Sequence, residues 1–252
     1  MFPYLDPPPI VIGARKISWF LPLIAAGTAT GIAITLRRAR AAGLPRAETI
    51  HVIWMLLLGG WIGAGFGKAL YEPELVRNDP SLIYRYFFGI SSFGGIFGGL
   101  AATWVYCAWR KEEWLPYADA MAYAFPFAWI FGRLACTLAH DHPGVFGAGW
   151  LAVAYPGRSR YDLGLLELLF TILLALAWLF WVRPFAGRIG MRIGVLLAVY
   201  GPFRIALDSL HVDPPRYGGI SVDQAAGSLA AIAGIAIIAR VHSVHGRSVH
   251  DR

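Results

Sequence analysis

The chain has 252 residues, a formal net charge of +7, 57% hydrophobic residues and only 15% charged residues. Soluble domains usually carry about 25% charged residues, and the apolar residues here come in long blocks, so the composition excludes an ordinary soluble protein. The basic residues cluster in short loops between those blocks, a pattern of membrane topology that argues against nucleic-acid binding. The two cysteines, Cys107 and Cys136, have neither disulfide nor metal-ligand spacing, so we expect no metal site.

The apolar blocks predict an all-α, polytopic integral membrane protein with about seven transmembrane helices. A proline-rich arm over residues 1–16 precedes them and is expected at the membrane interface. The predicted spans, in chain order, are 17–36, 50–71, 93–109, 118–139, 163–182, 193–210 and 222–238. We expect one membrane domain over 1–240, an extramembrane loop at about 140–162 with a short strand within 150–155, and a polar, disordered cytoplasmic tail at 241–252.

The distribution of basic residues predicts the orientation of the spans. Outside the spans, 12 Lys and Arg follow the first, third, fifth and seventh span, against 7 on the opposite side. Basic residues favour the cytoplasmic side of a membrane. The sequence therefore predicts an external N-terminus and a cytoplasmic C-terminus.

With this orientation, four charged residues share one depth in the external half of the membrane. Arg133 and Arg204 each lie about seven residues, or roughly 10 Å, before the outer end of a span. Lys68 lies near the outer end of the second span, and Glu167 about one turn into the fifth. Charged groups at this depth are costly and are candidates for function.

The two arginines have two interpretations. Arg204 shares a helix face with Tyr200, Asp208 and His211, so a structural Arg204–Asp208 pair is possible, with Arg133 and Glu167 as a second pair. Because few acids are present, the arginines also suggest a binding site for an anion, and a guanidinium binds phosphate through two parallel hydrogen bonds. A phosphate at this depth would belong to a phospholipid headgroup, and Tyr200 is expected to bind it together with the two arginines.

Two further segments could complete such a site. The backbone of Gly94 and Gly95, in SSFGGIFGG at 91–99, could add hydrogen-bond donors, although close helix packing explains these glycines as well. His140, Asp141 and His142 follow the fourth span and could supply acid–base catalysis. The alternative is a solvated loop without a role.

Several motifs resemble those of bacterial prolipoprotein diacylglyceryl transferases, over nearly the whole chain. The opening MFPYLDP is similar to the start of that family, and SSFGGIFGG resembles its S-F-H-G-G-x-x-G-G. FGRLACTLAH at 131–140 resembles the family signature I-G-R-I-G-N-F-I-N-G-E, and YDLGLLE at 161–167 resembles H-P-x-Q-L-Y-E. YGPFRIALD at 200–208, followed by GGIS at 218–221, resembles Y-G-x-x-R-F-x-x-E followed by G-x-x-T/S.

The resemblance implies a transferase of the bacterial plasma (inner) membrane that uses no cofactor and no metal. Its partners would be membrane lipids and a preprolipoprotein signal peptide. Such an enzyme moves the diacylglyceryl group of phosphatidylglycerol to the thiol of a lipobox cysteine in lipoprotein biosynthesis, and glycerol phosphate leaves. Arg133 and Arg204 match the two family arginines taken to hold the lipid phosphate and stabilise the leaving group.

The chain departs from the family pattern at residues expected near the reacting thiol. Phe93 and Tyr161 occupy positions of family histidines, Cys136 and Ala139 positions of asparagines, and Asp141 that of a glutamate. Deprotonation of the thiol requires a base, and His140 or His142 is the proposed replacement.

Three functional interpretations remain open. The chain is a divergent diacylglyceryl transferase, a transferase of the same fold with another lipid or acceptor, or a non-catalytic membrane protein that binds phospholipid or lipoprotein precursors. A transporter is a weaker fourth alternative, because the polar layer is external rather than at the midplane.

Overall fold

The computed structural model describes residues 1–71, 73–79, 91–181 and 188–250. The side chain of Lys68 lies outside the described residues, as does most of the connection predicted at 73–89. The helices are α1 (Phe20–Ala41), α2 (Arg46–Tyr71), α3 (Pro73–Asn78), α4 (Ser92–Arg110), α5 (Trp114–Ala139), α6 (Leu163–Trp181), α7 (Met191–Asp208) and α8 (Val222–His250).

A helix occupies each of the seven predicted spans, so the chain is an all-α, multi-pass membrane protein. Within the described residues, five helices contain a stretch long and apolar enough to cross a membrane, namely α1, α2, α5, α6 and α8. Helix α7 is shorter and carries Arg192, Arg204 and Asp208 within 18 residues. The count of seven spans and the orientation of the termini stay predictions.

Short antiparallel strands form between the helices. They are β1 (Ile10–Ile12), β2 (Arg15–Ile17), β3 (Pro143–Phe146), β4 (Ala152–Val153), β5 (Arg160–Asp162), β6 (Arg216–Tyr217) and β7 (Ile220–Ser221). The predicted strand within 150–155 is confirmed as β4, which lies beside β5 in a three-stranded sheet of order β3-β5-β4. The N-terminal arm joins this sheet, because the backbone of Phe2 pairs with Val153.

One prediction about the C-terminal end is wrong. The backbone of α8 continues to His250, so the described part of the expected disordered tail is helical. Residues 241–250 contain no proline, so the helix that begins at Val222 continues through them.

The described residues form two compact units. The first comprises Met1–Thr35, Met121–Ala186 and Ser209–Asp213, and the second Leu36–Ala120, Gly187–Asp208 and Pro214–Arg252. The single domain expected over 1–240 stays a prediction, and each unit is described by itself below.

Candidate functional site

Arg133 of α5 forms a buried ion pair with Glu167 of α6. Its Nε donates to Glu167 Oε1 at 3.0 Å, and both side chains are almost fully excluded from solvent, at 5% and 1% exposure. Trp129, one turn earlier on α5, donates its Nε1 to the same oxygen at 3.1 Å. Its ring also lies 4.7 Å from the guanidinium carbon. The pairing predicted for Arg133 is confirmed, and it holds the guanidinium in one orientation.

Helix α5 ends in a sharp reversal directly after this pair. Thr137 donates its hydroxyl to the carbonyl of Arg133 at 2.8 Å. His140 then adopts a left-handed backbone conformation with φ +49°, which is uncommon for residues other than glycine. Since this turn folds the chain back over the last helical turn, Asp141 comes close to Cys136.

His140 is held on both sides of its ring. Its Nδ1 lies 2.7 Å from Asp162 Oδ2, and its Nε2 lies 3.0 Å from the carbonyl oxygen of Leu5. Tyr4 stacks on the ring at a centroid distance of 3.9 Å. A carboxylate and a carbonyl both accept hydrogen bonds, so each ring nitrogen of His140 faces an acceptor. In this arrangement both ring nitrogens are already engaged by contacts within the protein.

Asp162 is the buried centre of this cluster and was not recognised from the sequence. It is fully buried and also accepts hydrogen bonds from Leu165 N (3.0 Å) and the Tyr155 hydroxyl (2.7 Å). An Asp directly before an apolar run is the signal of a helix N-cap, and this signal could have found it. Burial, and next the hydrogen bond to Asp162, raise the pKa of Tyr155 well above its usual range, so Tyr155 stays neutral.

His142 lies in a different environment from His140. Its Nδ1 is 2.5 Å from Asp141 Oδ1, and both side chains are more than one-third exposed. Donation from Nδ1 to the carboxylate leaves Nε2 as the acceptor of a neutral ring. One donor atom each from Cys136, Asp141 and His142 lie within 4.8 Å of one another. The expectation of no metal-ligand pattern considered only the cysteines and did not detect this group.

Arg204 of α7 pairs with Asp223, which was not predicted as its partner. Its Nη2 donates to Asp223 Oδ2 at 2.6 Å, with side-chain exposures of 11% and 5%. The predicted pair with Asp208 is therefore wrong. Asp208 is buried, and among the residues that the structure describes its carboxylate oxygens have no hydrogen-bond partner. Spacing of i and i+4 places both residues on one face but does not make their side chains meet.

The segment before α8 explains how Asp223 reaches Arg204. Strands β6 and β7 form a hairpin whose turn residues, Gly218 and Gly219, have φ values of +59° and +86°. Ser221 then accepts from Gln224 N at 3.0 Å, while Gln224 Oε1 accepts from Ser221 N at 3.3 Å. This capping box starts α8 and places Asp223 in its first turn. The S-x-x-Q pattern was a signal for this position.

The ring of Phe93 lies beside Arg204 within the same unit. The guanidinium carbon lies 5.2 Å from the ring centroid of Phe93, which is 3% exposed. The ring of Tyr200 packs against Phe93 at 6.2 Å. Phe93 thus offers Arg204 a π face at the position where the resemblance implies a histidine. The lipid-binding role expected of Tyr200 stays a prediction.

Gly94 and Gly95 serve helix packing and capping. A Cβ on Gly94 would lie 2.9 Å from the Cα of Gly67 in α2, so the packing interpretation of this motif is confirmed. The backbone N–H of Gly94 donates to the Ser91 hydroxyl at 3.2 Å, and that of Gly95 donates to the Ser91 carbonyl at 2.9 Å. Because both N–H groups already have acceptors, the structure offers no support for the donor role expected of these glycines.

The structure brings the predicted residues into two groups. Arg133, Glu167 and the segment 140–142 belong to the first unit. Arg204, Asp208, Tyr200 and the glycines belong to the second. The side chain of Lys68 lies outside the described residues, so its supporting role and the shared polar layer stay predictions.

Comparison with known proteins gives one family. The family model described as prolipoprotein diacylglyceryl transferase matches residues 8–240. A protein of Chromohalobacter salexigens named phosphatidylglycerol–prolipoprotein diacylglyceryl transferase is 29% identical over 88% of this chain and 85% of its own length. Relatives of the same name from Symbiobacterium thermophilum and Pseudoalteromonas atlantica are each 26% identical over 94% of this chain, covering 92% and 89% of their own lengths.

Proposed function

We propose that this chain, which belongs to the prolipoprotein diacylglyceryl transferase family, transfers the diacylglyceryl group of phosphatidylglycerol to a cysteine thiol of a prolipoprotein. The observation that carries the proposal is the match of 8–240 to that family, together with relatives of one printed name over most of the chain. The acceptor cysteine would lie in a lipobox, and the chain would reside in the bacterial inner membrane.

The reaction needs a thiolate, an electrophilic carbon and a stabilised leaving group. A base removes the thiol proton, and the sulfur attacks the diacylglyceryl carbon bound to the phosphate oxygen. That carbon–oxygen bond breaks, its electron pair stays on the phosphate oxygen, and glycerol phosphate leaves as a thioether forms. Charge develops on the leaving phosphate, so fixed cations beside it lower the barrier.

Arg133 and Arg204 are the proposed phosphate-binding residues. Each guanidinium is oriented by one buried carboxylate, Glu167 or Asp223, and by one aromatic ring. A guanidinium that is already held in place loses little freedom when it binds an anion. The contacts with carboxylates thus support a preorganised role as well as a structural one.

We assign the general base to His142 rather than His140. Both ring nitrogens of His140 have acceptors, whereas His142 is oriented through one nitrogen by Asp141. Asp141 holds the tautomer in which Nε2 can accept the thiol proton. His140 would act as a positioning residue that docks the N-terminal arm and shapes the turn before Asp141.

A transfer assay tests the function directly. The purified protein is mixed with phosphatidylglycerol and a peptide containing a lipobox cysteine, and the peptide is analysed by mass spectrometry. We expect a diacylglyceryl adduct on the cysteine and none on a matched peptide with serine in its place. Absence of the adduct, under conditions in which a relative from another organism forms it, would contradict the assignment.

One observation favours a second candidate, a non-catalytic lipid-binding protein. Phe93 has no basic nitrogen where the resemblance implies a histidine, yet both arginines are retained. Binding of phosphatidylglycerol that is lost in Arg133→Ala, with no adduct formed, would support this candidate over the transferase.

A further inference from the structure

Three side chains of different metal-binding types lie together at the end of α5. Cys136 offers a thiol, Asp141 a carboxylate and His142 an imidazole. One donor atom from each lies within 4.8 Å of the other two. Within the described part of the chain, no other group of three His, Cys, Asp or Glu residues brings its donor atoms this close together. We propose that Cys136, Asp141 and His142 form a binding site for a borderline divalent transition metal such as Zn²⁺.

The fold builds this group from both sides of one turn. Cys136 lies in the last turn of α5, and the left-handed conformation of His140 reverses the chain so that the next two residues return towards it. The reversal is anchored, because His140 contacts the buried Asp162 at 2.7 Å and the carbonyl of Leu5 at 3.0 Å. The three donors are therefore presented by a segment that is held in place on both sides.

The local charge suits a divalent cation. A thiolate and a carboxylate contribute two negative charges, and the neutral imidazole contributes none. Arg133 Nη1 lies 3.9 Å from Cys136 Sγ, so one positive charge lies beside the sulfur. Glu167 is ion-paired with Arg133, so the arginine adds little net repulsion to the site. A bound divalent cation would leave the group approximately neutral.

The donor set selects the class of metal. Sulfur and imidazole ligands suit Zn²⁺ and Co²⁺, whereas Mg²⁺ and Ca²⁺ prefer oxygen ligands. Metal–ligand bonds of about 2.0–2.3 Å place tetrahedral donors roughly 3.3–3.8 Å apart. The present spread of up to 4.8 Å requires only a small closure of two partly exposed side chains. Three protein ligands leave a fourth position for water or another ligand.

Occupation of this site would also affect the transfer reaction. A metal that binds His142 at Nδ1 replaces the hydrogen bond to Asp141, and the ring proton then lies on Nε2. The proposed base could then no longer accept the thiol proton, so Zn²⁺ should inhibit transfer reversibly. This consequence rests on the proposed function, while the metal site itself does not.

Cobalt absorption tests the site without any need for activity. The full chain is purified through an affinity tag that contains no histidine, kept reduced, and titrated with Co²⁺ alone. We expect one equivalent to produce a thiolate-to-cobalt charge-transfer band that Zn²⁺ displaces. Cys136→Ser should abolish the band, and Cys107→Ser, which removes the buried cysteine of α4, should retain it.

Two further variants test the site in case the Cys136→Ser variant does not fold. Asp141→Asn and His142→Gln change side chains that are more than one-third exposed, so the fold should persist. Loss of an outer-shell partner already weakens metal binding about 10- to 100-fold, and loss of a ligand should weaken it at least about tenfold. A wild-type protein with no thiolate band, or a Cys136→Ser variant with an unchanged band, would overturn the proposal.

The activity arm separates the two proposals. If transfer occurs, Zn²⁺ should inhibit it and a chelator should restore it. If the wild-type protein shows the cobalt band but forms no adduct, the metal site holds and the transferase assignment fails. Cobalt binding by the histidines of the C-terminal segment gives no thiolate band, so such binding alone counts against the site.

Discussion

Arg133 and Arg204 are built from similar parts, but their partners come from different distances along the chain. Each arginine pairs with one buried carboxylate and faces one aromatic ring. Glu167 lies inside the apolar run of α6, whereas Asp223 lies in the first turn of α8 after a hairpin. The first partner could be predicted from depth alone. The second depended on the capping of α8, so depth and helical spacing favoured the wrong acid.

The surroundings of the two arginines also differ. Near Arg133 the chain supplies a cysteine, two histidines and two aspartates at the end of α5. Near Arg204 it supplies the rings of Phe93 and Tyr200. Proton transfer needs titratable groups, while anion binding needs only fixed positive charge. We therefore propose that the base lies at the end of α5 and that Arg204 has an electrostatic role.

The largest expected effect is the loss of transfer activity when the Arg133 guanidinium is replaced. Arg133→Lys retains the charge but loses the planar pair of donors, so we expect transfer to fall by about 10²- to 10³-fold. The adduct rate in the mass-spectrometric assay measures this loss. Arg158→Lys, a change at an exposed loop arginine, serves as the matched control. Equal activity of Arg133→Lys and the wild type would remove Arg133 from the phosphate site.

Substitution of the two histidines should have different effects, on activity for His142 and on stability for His140. His142→Gln removes the proposed base, and we expect transfer to fall about 100-fold with little change in the melting temperature. His140→Gln removes the ring that contacts the buried Asp162 and stacks on Tyr4, and should cost about 3 kcal/mol of stability. Thermal unfolding and the adduct rate are measured for both variants. If His140→Gln lost activity with an unchanged melting temperature, the assignments would be reversed.

The two acids near Arg204 provide a matched pair for stability. Asp223→Asn leaves a partly buried guanidinium without its charged partner, and we expect a loss of about 2 kcal/mol in the free energy of unfolding. Asp208→Asn should cost less than about 1 kcal/mol, because no described residue donates a hydrogen bond to that carboxylate. Denaturation in detergent measures both values. A larger effect at Asp208 would mean that the i, i+4 pair forms in solution.

The smallest expected effect is a decrease in stability at alkaline pH that depends on Tyr155. Its folded-state pKa is raised, so its contribution to stability is complete below the unfolded value of about 10 and falls as pH rises beyond it. The loss approaches about 1.4 kcal/mol per pH unit above that value. Tyr155→Phe removes this contribution, so stability measured from pH 8 to 11 should decline less steeply than in the wild type. Parallel curves for the two proteins would contradict the raised pKa.

Much of the fold follows from local patterns in the chain. Long apolar blocks predicted the seven segments in which helices form, and the polar stretch after residue 139 predicted a loop with a short strand within 150–155. The close spacing of glycines at 91–99 indicated helix packing, which Gly94 and Gly67 show. These features depend on residues near one another in sequence. Hydrophobicity and backbone freedom are properties of such short stretches, which is why they could be predicted.

The sequence determined the helices, the burial of Arg133 and the family, because each depends on composition and motif order. Tertiary structure decided which side chains meet. It paired Arg204 with Asp223 rather than Asp208, and it held both nitrogens of His140. Hydrogen bonds require contact within about 3 Å, and spacing along a helix sets only the face on which a residue lies. The reversal at His140, which brings Cys136 towards Asp141, is a backbone conformation that its own residue type disfavours. Contacts with Asp162 and Leu5 from distant parts of the chain hold it in place.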